Sequence, residues 1–231
     1  MQKTLHTGAL ALLAFLAPIM GCTLAPDPAP RRIGVHMGAE RAIFNSVFKK
    51  TAFLCSTNVV SLDMQDDGML LRANTGSMTA DFAHGVIVNS GTQILTARHN
   101  IEALPKVFAW KDGQHININY SEVFIHAQHD LAILTIDPGL ALPSFDIASP
   151  DRVGQKLFTY GYGVRKCVLK SVERTGSARF YYHNAKIAKG ESGSALFDTR
   201  GRLVGVNISR TSGGTAKAIM LDDLIETARS P

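Results

Sequence analysis

Three polar residues along this chain have the types and the order that nucleophilic catalysis needs. Ser192 lies in the glycine-containing stretch 189–194, ahead of an apolar run. A serine hydroxyl attacks a carbonyl carbon only with a base against it and with N–H donors near the oxygen that becomes negative. Upstream, His99 ends one apolar run and Asp130 opens another. Imidazole titrates near neutral pH and can act as the base, and a carboxylate can orient it.

Each of the three residues also has a structural interpretation. Ser192 could sit in an ordinary turn between two strands, His99 could be a hydrogen-bonded histidine at a strand end, and Asp130 could cap a turn. Asp112 and Asp137 are rival carboxylates. Because all three residue types occur in the order His, Asp, Ser, we favour the catalytic interpretation, with His99, Asp130 and Ser192 as a triad.

Other chemistries fit the sequence less well. An α/β-hydrolase would carry Gly-x-Ser-x-Gly and a later histidine. Here the fifth position is Ser194, and no histidine follows His183. His126 and His129 form a His-x-x-His pair, but such a pair in a strand or loop is a weak metal signal, so we expect no metal site. We expect no cofactor either.

The segments around the three residues resemble those of the trypsin-like (chymotrypsin-fold) serine peptidases. The family's Leu-Thr-Ala-Ala-His, Asp-Ile-Ala-Leu and Gly-Asp-Ser-Gly-Gly-Pro appear here as residues 95–99, 130–133 and 190–195. The spacing looks most like the compact bacterial, HtrA-type branch. The resemblance extends over about Val59 to Arg229. It implies an exported serine endopeptidase that hydrolyses peptide bonds of a protein or peptide substrate through an acyl-enzyme.

The resemblance also implies an all-β fold and assigns further residues. It predicts two packed six-stranded antiparallel barrels, over about 55–137 and 152–221, with a short C-terminal helix. The N–H groups of Gly190 and Ser192 would form the oxyanion hole. A substrate pocket would involve Lys186, Asn207 and Ser209, and Lys186 could favour acidic side chains or could point to solvent.

The sequence departs from the family pattern around the nucleophile. Glu191, Ser194 and Ala195 stand where the family has Asp or Asn, Gly and Pro, and Arg98 replaces a small residue beside His99. None of these changes removes a catalytic group. They leave open an alternative function, a catalytically inactive trypsin-fold module that binds a partner at the bacterial envelope.

Periodicity predicts the elements that would position the site. Apolar residues recur at helical spacing over Glu40 to Leu54, which predicts an amphipathic helix, and the first strand is predicted at 59–64. The strand Phe82–Val88 would form a hairpin that delivers His99. Asp222 is a suitable N-cap for a final helix that extends to Arg229.

The N-terminal residues predict export and anchoring. Residues 1–21 have a positive start and a short apolar region, as in a lipoprotein-type signal peptide. Cys22 follows Gly21 as in a lipobox, so we expect its thiol to be lipidated and to hold the protein on a membrane. Residues 22–37 form a proline-rich tether, and 38–231 the peptidase domain. The predicted location is the bacterial envelope, facing the periplasm or the outside, and the outer membrane in a Gram-negative source.

Composition sets further limits. The 231 residues are 45% hydrophobic, which is ordinary for a globular protein, and the net charge of +5 is scattered along the chain, so we expect no nucleic-acid partner. Cys55 and Cys167 could form a disulfide in an oxidising compartment or remain buried thiols. The chain ends soon after the predicted second barrel, so we expect no PDZ domain; the oligomeric state is left open.

Overall fold

The computed structural model describes residues 39–57, 59–65, 70–75, 81–150, 152–161, 163–211 and 213–227. The predicted signal segment, Cys22 and the tether lie outside these residues. Within the described part of the chain, none of the helices has the length and apolar character that crossing a membrane requires.

The described residues form mostly strands, as their alternating apolar residues predict. The strands that precede residue 137 are β1 (Thr51–Cys55), β2 (Val59–Gln65), β3 (Leu70–Thr75), β4 (Phe82–Val88), β5 (Gln93–Thr96), β6 (Lys106–Lys111), β7 (Gln114–Ile118), β8 (Tyr120–Ile125) and β9 (Ala132–Ile136). The later strands are β10 (Lys156–Tyr160), β11 (Val164–Thr175), β12 (Ala178–His183), β13 (Ala195–Phe197), β14 (Leu203–Arg210) and β15 (Ala216–Leu221). The helices are α1 (Ala39–Lys49), α2 (Arg98–Ala103) and α3 (Asp222–Thr227).

The second half of the domain is the predicted barrel. Its six antiparallel strands close in the order β10-β11-β12-β15-β14-β13. Fully buried apolar side chains fill the interior, among them Leu157, Leu169, Phe197 and Ile219. The helix predicted at the C-terminal end is also present and begins at Asp222.

The first half differs from the prediction of a closed six-stranded barrel. It is a curled seven-stranded sheet in the order β7-β6-β1-β4-β5-β9-β8, and β2 and β3 form a separate hairpin. Among the described residues, β7 and β8 do not pair. Five of the six residues of β8 are exposed, so burial provides no driving force for closing the sheet along this edge.

The predicted helix over Glu40–Leu54 is wrong in its second part. The helix α1 ends at Lys49, and residues 51–55 form β1, which pairs with β4 on one side and β6 on the other. All five residues of β1 are buried. A continuously buried run fits the middle of a sheet, whereas an amphipathic helix would expose one face.

The two cysteines in the described residues are free thiols. Cys55 and Cys167 are both buried in the same apolar core, and burial raises the pKa of each to about 12. A buried thiol with a high pKa is chemically inert. Of the two interpretations that the sequence left open, the structure therefore has the buried thiols.

Candidate active site

Strand pairing brings the predicted histidine and aspartate together. The strands β5 and β9 are antiparallel neighbours, with Thr96 opposite Ala132. His99 follows shortly after Thr96, on the first turn of α2, and Asp130 lies just before β9. The end of β5 and the start of β9 are adjacent because the two strands are antiparallel. His99, which follows β5, and Asp130, which precedes β9, must therefore be close in space.

The contact between these side chains has the geometry of a catalytic pair. The Nδ1 atom of His99 lies 2.7 Å from Oδ2 of Asp130, and the backbone N–H of His99 donates to Oδ1 over 3.1 Å. Because a carboxylate only accepts, Nδ1 carries the hydrogen and Nε2 can accept a proton. The two side chains are 51% and 37% exposed, so a substrate can reach them.

The serine lies in residues 189–194, here called the serine loop, between β12 and β13. Three backbone hydrogen bonds fold it: Glu191 to the Ala188 carbonyl (3.2 Å), Ser194 to the Glu191 carbonyl (3.1 Å), and Gly193 to the Asn207 carbonyl (2.7 Å). These tie the loop to itself and to the neighbouring strand β14 of the barrel. The serine is therefore presented by a closed turn, not by a strand.

The serine loop docks on the first half of the domain, next to His99. The Ser192 carbonyl accepts hydrogen bonds from the backbone N–H of His84 (2.9 Å) and from Nδ2 of Asn100 (3.0 Å). Asn100 directly follows His99, so the serine loop is bound at the residue next to the predicted base. Among the described residues, no hydrogen bond joins the Ser192 hydroxyl to His99, a contact that often tightens only when substrate is bound.

Gly193 is required by this docking. Its φ is +86°, which favours glycine, and a Cβ atom there would lie 1.6 Å from the His84 carbonyl oxygen. That separation is far below any contact distance between non-bonded atoms. The absence of a side chain at this position lets the serine loop lie directly on β4.

The predicted oxyanion donors are available. Within the part of the chain that the structure describes, the N–H groups of Gly190 and Ser192 donate to no other group. Gly190 has a φ of +87°, so the backbone turns sharply between the two donors. Unpaired N–H groups beside a nucleophile are what stabilisation of a developing oxyanion requires.

Residues 83–206, which include His99, Asp130 and Ser192, match the trypsin-like peptidase domain. The chain belongs to this family. Curated protein sequences gave no match to this trypsin-like peptidase.

Solved structures share the fold. The HtrA-type protease AlgW, determined with a decapeptide, has a TM-score of 0.59 and 23% identity, over 84% of this chain and 67% of AlgW. The Rv3671c protease of M. tuberculosis has a TM-score of 0.56 in its active form, with 15% identity over 80% of this chain and 82% of that protein. At such low identity the likeness concerns the fold alone, and it agrees with the HtrA-type resemblance of the sequence.

One departure of this trypsin-like peptidase from the family sequence, Ser194, is absorbed by its core. The hydroxyl of Ser194 is buried and accepts a hydrogen bond from Nδ2 of Asn207 (2.9 Å). The same amide nitrogen donates to Thr159 over 2.7 Å, and the amide oxygen lies 2.8 Å from Nε2 of His183. Ser194 therefore supports the serine loop from within the core, whereas Ser192 is half-buried.

The three predicted pocket residues differ in their exposure to solvent. Asn207 is fully buried and its amide is used within the core, so the structure corrects its role from pocket wall to support of the serine loop. Lys186 and Ser209 are both exposed, the first in the segment between β12 and β13 and the second in β14. A surface cavity of about 410 Å³ lies instead beside the triad, and its lining residues are Arg98, His99, Glu102, Ala127, Gln128, His129 and Asp130.

A second departure, Glu191, places a buried charge next to Ser192. Its side chain is inaccessible to solvent, and Oε1 lies 2.6 Å from a guanidinium nitrogen of Arg165 on β11. The other oxygen accepts from the N–H of Ala188 over 2.7 Å. Gly161 makes room for this carboxylate, because a Cβ there would come within 2.3 Å of Oε1.

We expect Arg165→Met to destabilise the domain by about 3 kcal/mol, since removing one partner leaves a buried charge uncompensated. Chemical denaturation of the variant beside wild type measures this. The double variant Arg165→Met, Glu191→Gln should recover part of the loss, because it removes the charge as well. Arg152→Met, at an exposed arginine, is the matched control. A single variant as stable as wild type would show that the pair does not hold the loop.

Two buried histidines should make stability depend on pH. Burial lowers the pKa of both His84 and His183. Below the unfolded value of about 6.5, the unfolded chain binds protons that the folded chain does not, so the free energy of unfolding falls as pH decreases, by at most about 1.4 kcal/mol per pH unit for each histidine.

Denaturation at pH 5, 6 and 7 tests this dependence. His183→Gln keeps an N–H donor near the position of Nε2 but cannot titrate. We expect its stability to change less between pH 7 and 5 than that of wild type. An unchanged slope in this variant would exclude His183 as a source of the pH dependence.

Sequence reasoning missed three residues that support the site, namely His84, Asn100 and Arg165. The position of Asn100, directly after the histidine, was a usable signal. His84 was visible as a polar residue inside the apolar run 82–88. No sequence pattern connects Arg165 with Glu191, because β11 and the serine loop come into contact only in the folded barrel.

Proposed function

We propose that this protein is a serine endopeptidase that cleaves peptide bonds through an acyl-enzyme. The observation that carries the proposal is the 2.7 Å contact between His99 and Asp130, next to a serine loop bound to Asn100. Family membership supports a peptidase. The finer assignments of residues and steps below are part of the proposal.

In the first step, Oγ of Ser192 attacks the carbonyl carbon of the scissile bond and its proton passes to Nε2 of His99. Asp130 accepts from Nδ1–H and stabilises the imidazolium. The carbonyl oxygen becomes negative and is bound by the N–H groups of Gly190 and Ser192. Collapse of this intermediate breaks the C–N bond, and His99 returns the proton to the leaving amine.

In the second step, water replaces the amine. His99 takes a proton from the water, whose oxygen attacks the acyl carbon bound to Ser192. The second intermediate uses the same two N–H donors. Its collapse releases a carboxylic acid product and returns the proton to Oγ, so that the enzyme is unchanged after one turnover.

Substrate selection is proposed to involve the exposed side chains of Lys186 and Ser209. A lysine near the cleft favours acidic substrate side chains by charge. Profiling with peptide libraries tests this, and Lys186→Gln should weaken any acidic preference. A preference that is unchanged in the variant would remove Lys186 from the pocket.

We further propose that the protein is exported and lipid-anchored through Cys22. The support is the sequence alone: the signal-like residues 1–21 and the proline-rich segment that follows. Metabolic labelling with a fatty acid, and extraction into detergent, should both be lost in Cys22→Ser. Labelling that persists in this variant would contradict the anchor.

The test of the peptidase function is labelling of the detergent-solubilised full chain with a fluorophosphonate probe. We expect labelling of wild type and of Ser177→Ala, an exposed serine used as the control, and none of Ser192→Ala. Folded wild-type protein that is not labelled would contradict the proposal and would favour the alternative, an inactive module that binds a partner.

A further inference from the structure

His84 is a polar residue in the interior of the strand β4. Its side chain is 2% exposed, and its ring packs against those of Phe53 and Tyr160, with centroid distances of 5.3 and 6.2 Å. An imidazole in apolar surroundings costs free energy unless it is hydrogen-bonded. Here Nδ1 lies 2.8 Å from the carbonyl oxygen of Gly190, in the other half of the domain.

The backbone of His84 makes two more contacts with the serine loop. The N–H of His84 donates to the Ser192 carbonyl over 2.9 Å, and the carbonyl oxygen of His84 lies against Gly193. That carbonyl also accepts from Oγ1 of Thr96 over 2.6 Å, which fixes its direction. One residue thus contacts the loop at positions 190, 192 and 193, and only the contact at Gly190 depends on its side chain.

The contact at Gly190 acts on the peptide unit that joins the two oxyanion donors. The donors are the N–H groups of Gly190 and Ser192, and the Gly190–Glu191 peptide lies between them. In this peptide unit, the N–H of Glu191 donates to the Ala188 carbonyl (3.2 Å), and the carbonyl of Gly190 is bound by Nδ1 of His84. Gly190 has a φ of +87° and no side chain, so its own conformational preference does not fix this peptide.

We propose that His84 is a positioning residue whose side chain holds the Gly190 carbonyl and thereby keeps both oxyanion donors directed at one point. This inference rests on the proposed peptidase function. The carbonyl can only accept, so Nδ1 must carry a hydrogen. Burial lowers the pKa of His84, while hydrogen bonding to the Gly190 and Gly161 backbone and the charge of Glu191 oppose that effect. Both the neutral Nδ1–H form and the cation can donate.

Three variants separate positioning from packing. His84→Leu keeps an apolar volume but loses the donor, and His84→Asn keeps an amide donor near the position of Nδ1. Phe53→Leu is the matched control, because it loosens the packing around the same ring without changing the hydrogen bond. Each is compared with wild type by the rate of fluorophosphonate labelling and by hydrogen exchange of peptides that cover the serine loop.

We expect His84→Leu to lower the labelling rate about 100-fold, as loss of an oxyanion donor does. Its serine-loop amides should exchange at least about tenfold faster than those of wild type. His84→Asn should recover most of both losses, and Phe53→Leu should match wild type in both when the two are compared as folded protein. A His84→Leu variant with wild-type labelling and exchange would overturn the proposal.

The two readouts keep this inference distinct from the peptidase function. If wild type is not labelled at Ser192, the proposed function fails, and exchange alone decides: faster exchange in His84→Leu supports the positioning role, and unchanged exchange overturns it. If His84→Leu does not fold, nitrogen-15 NMR of wild type decides. A protonated Nδ1 of His84 supports the hydrogen bond, and an unprotonated Nδ1 overturns it.

Discussion

His99→Ala is expected to lower kcat/KM for hydrolysis of unfolded casein by about 10⁴- to 10⁶-fold, with little change in KM. In the proposed mechanism the imidazole takes the proton from Ser192, and His84 cannot replace it because its ring is buried and bound to Gly190. The effect is measured from initial rates at equal concentrations of folded protein.

Non-additivity provides the sharper form of this test. Residues that act as one unit lose their contribution together, so the variant with both His99→Ala and Ser192→Ala should be no slower than either single variant. His129→Ala is the matched control, because it changes a neighbouring histidine of the same cavity. If the fold-reductions in rate of the two single variants multiplied in the double variant, His99 and Ser192 would act separately.

Asp130→Asn is expected to lower kcat by about 10⁴-fold while the protein remains folded. The carboxylate accepts both from Nδ1 and from the backbone N–H of His99. An amide nitrogen facing Nδ1 would donate to it, which moves the ring hydrogen to Nε2 and removes the base. Rates of casein hydrolysis and circular dichroism of the variant measure the two parts of this expectation.

Asp137→Asn is the control for this substitution. Asp137 was a rival carboxylate in the sequence, but the structure uses it to accept a hydrogen bond from the Gly139 N–H over 2.8 Å, at the end of β9. We expect wild-type rates for this variant. If Asp130→Asn kept activity within tenfold of wild type, the role of its carboxylate in orienting His99 would be excluded.

The contact between His99 and Asp130 could be expected from sequence because each residue lies in a short segment next to a predicted strand. A histidine after one strand and an aspartate before another need only those two strands to pair, and β5 and β9 do pair. The serine loop could be recognised in the sequence by its two glycines, Gly190 and Gly193, and both adopt a positive φ. Spacing and order therefore led to His99, Asp130 and Ser192 as the proposed triad.

The errors share a cause, which is that tertiary partners decided the outcome. The segment 51–55 continues an apolar pattern that a helix could also use, but its burial between β4 and β6 makes it a strand. The open first sheet depends on an edge, β8, whose exposure no local pattern predicts. Asn207 was assigned to a pocket from the family resemblance, but in the structure three buried polar side chains bind its amide.

The docking of the serine loop on β4 has a consequence for the time at which this protein becomes reactive. Asn100 and Ser192 are separated by 92 residues, and His84 and Gly190 by 106, so the site depends on contacts that form late along the chain. Chains are made from the N-terminus, and Ser192, the proposed nucleophile, emerges long after His99, its proposed base. Under the proposed mechanism, a chain that stops before the second barrel holds His99 and Asp130 without the serine that they would activate. Synthesis itself would then delay peptide-bond cleavage until the domain is complete.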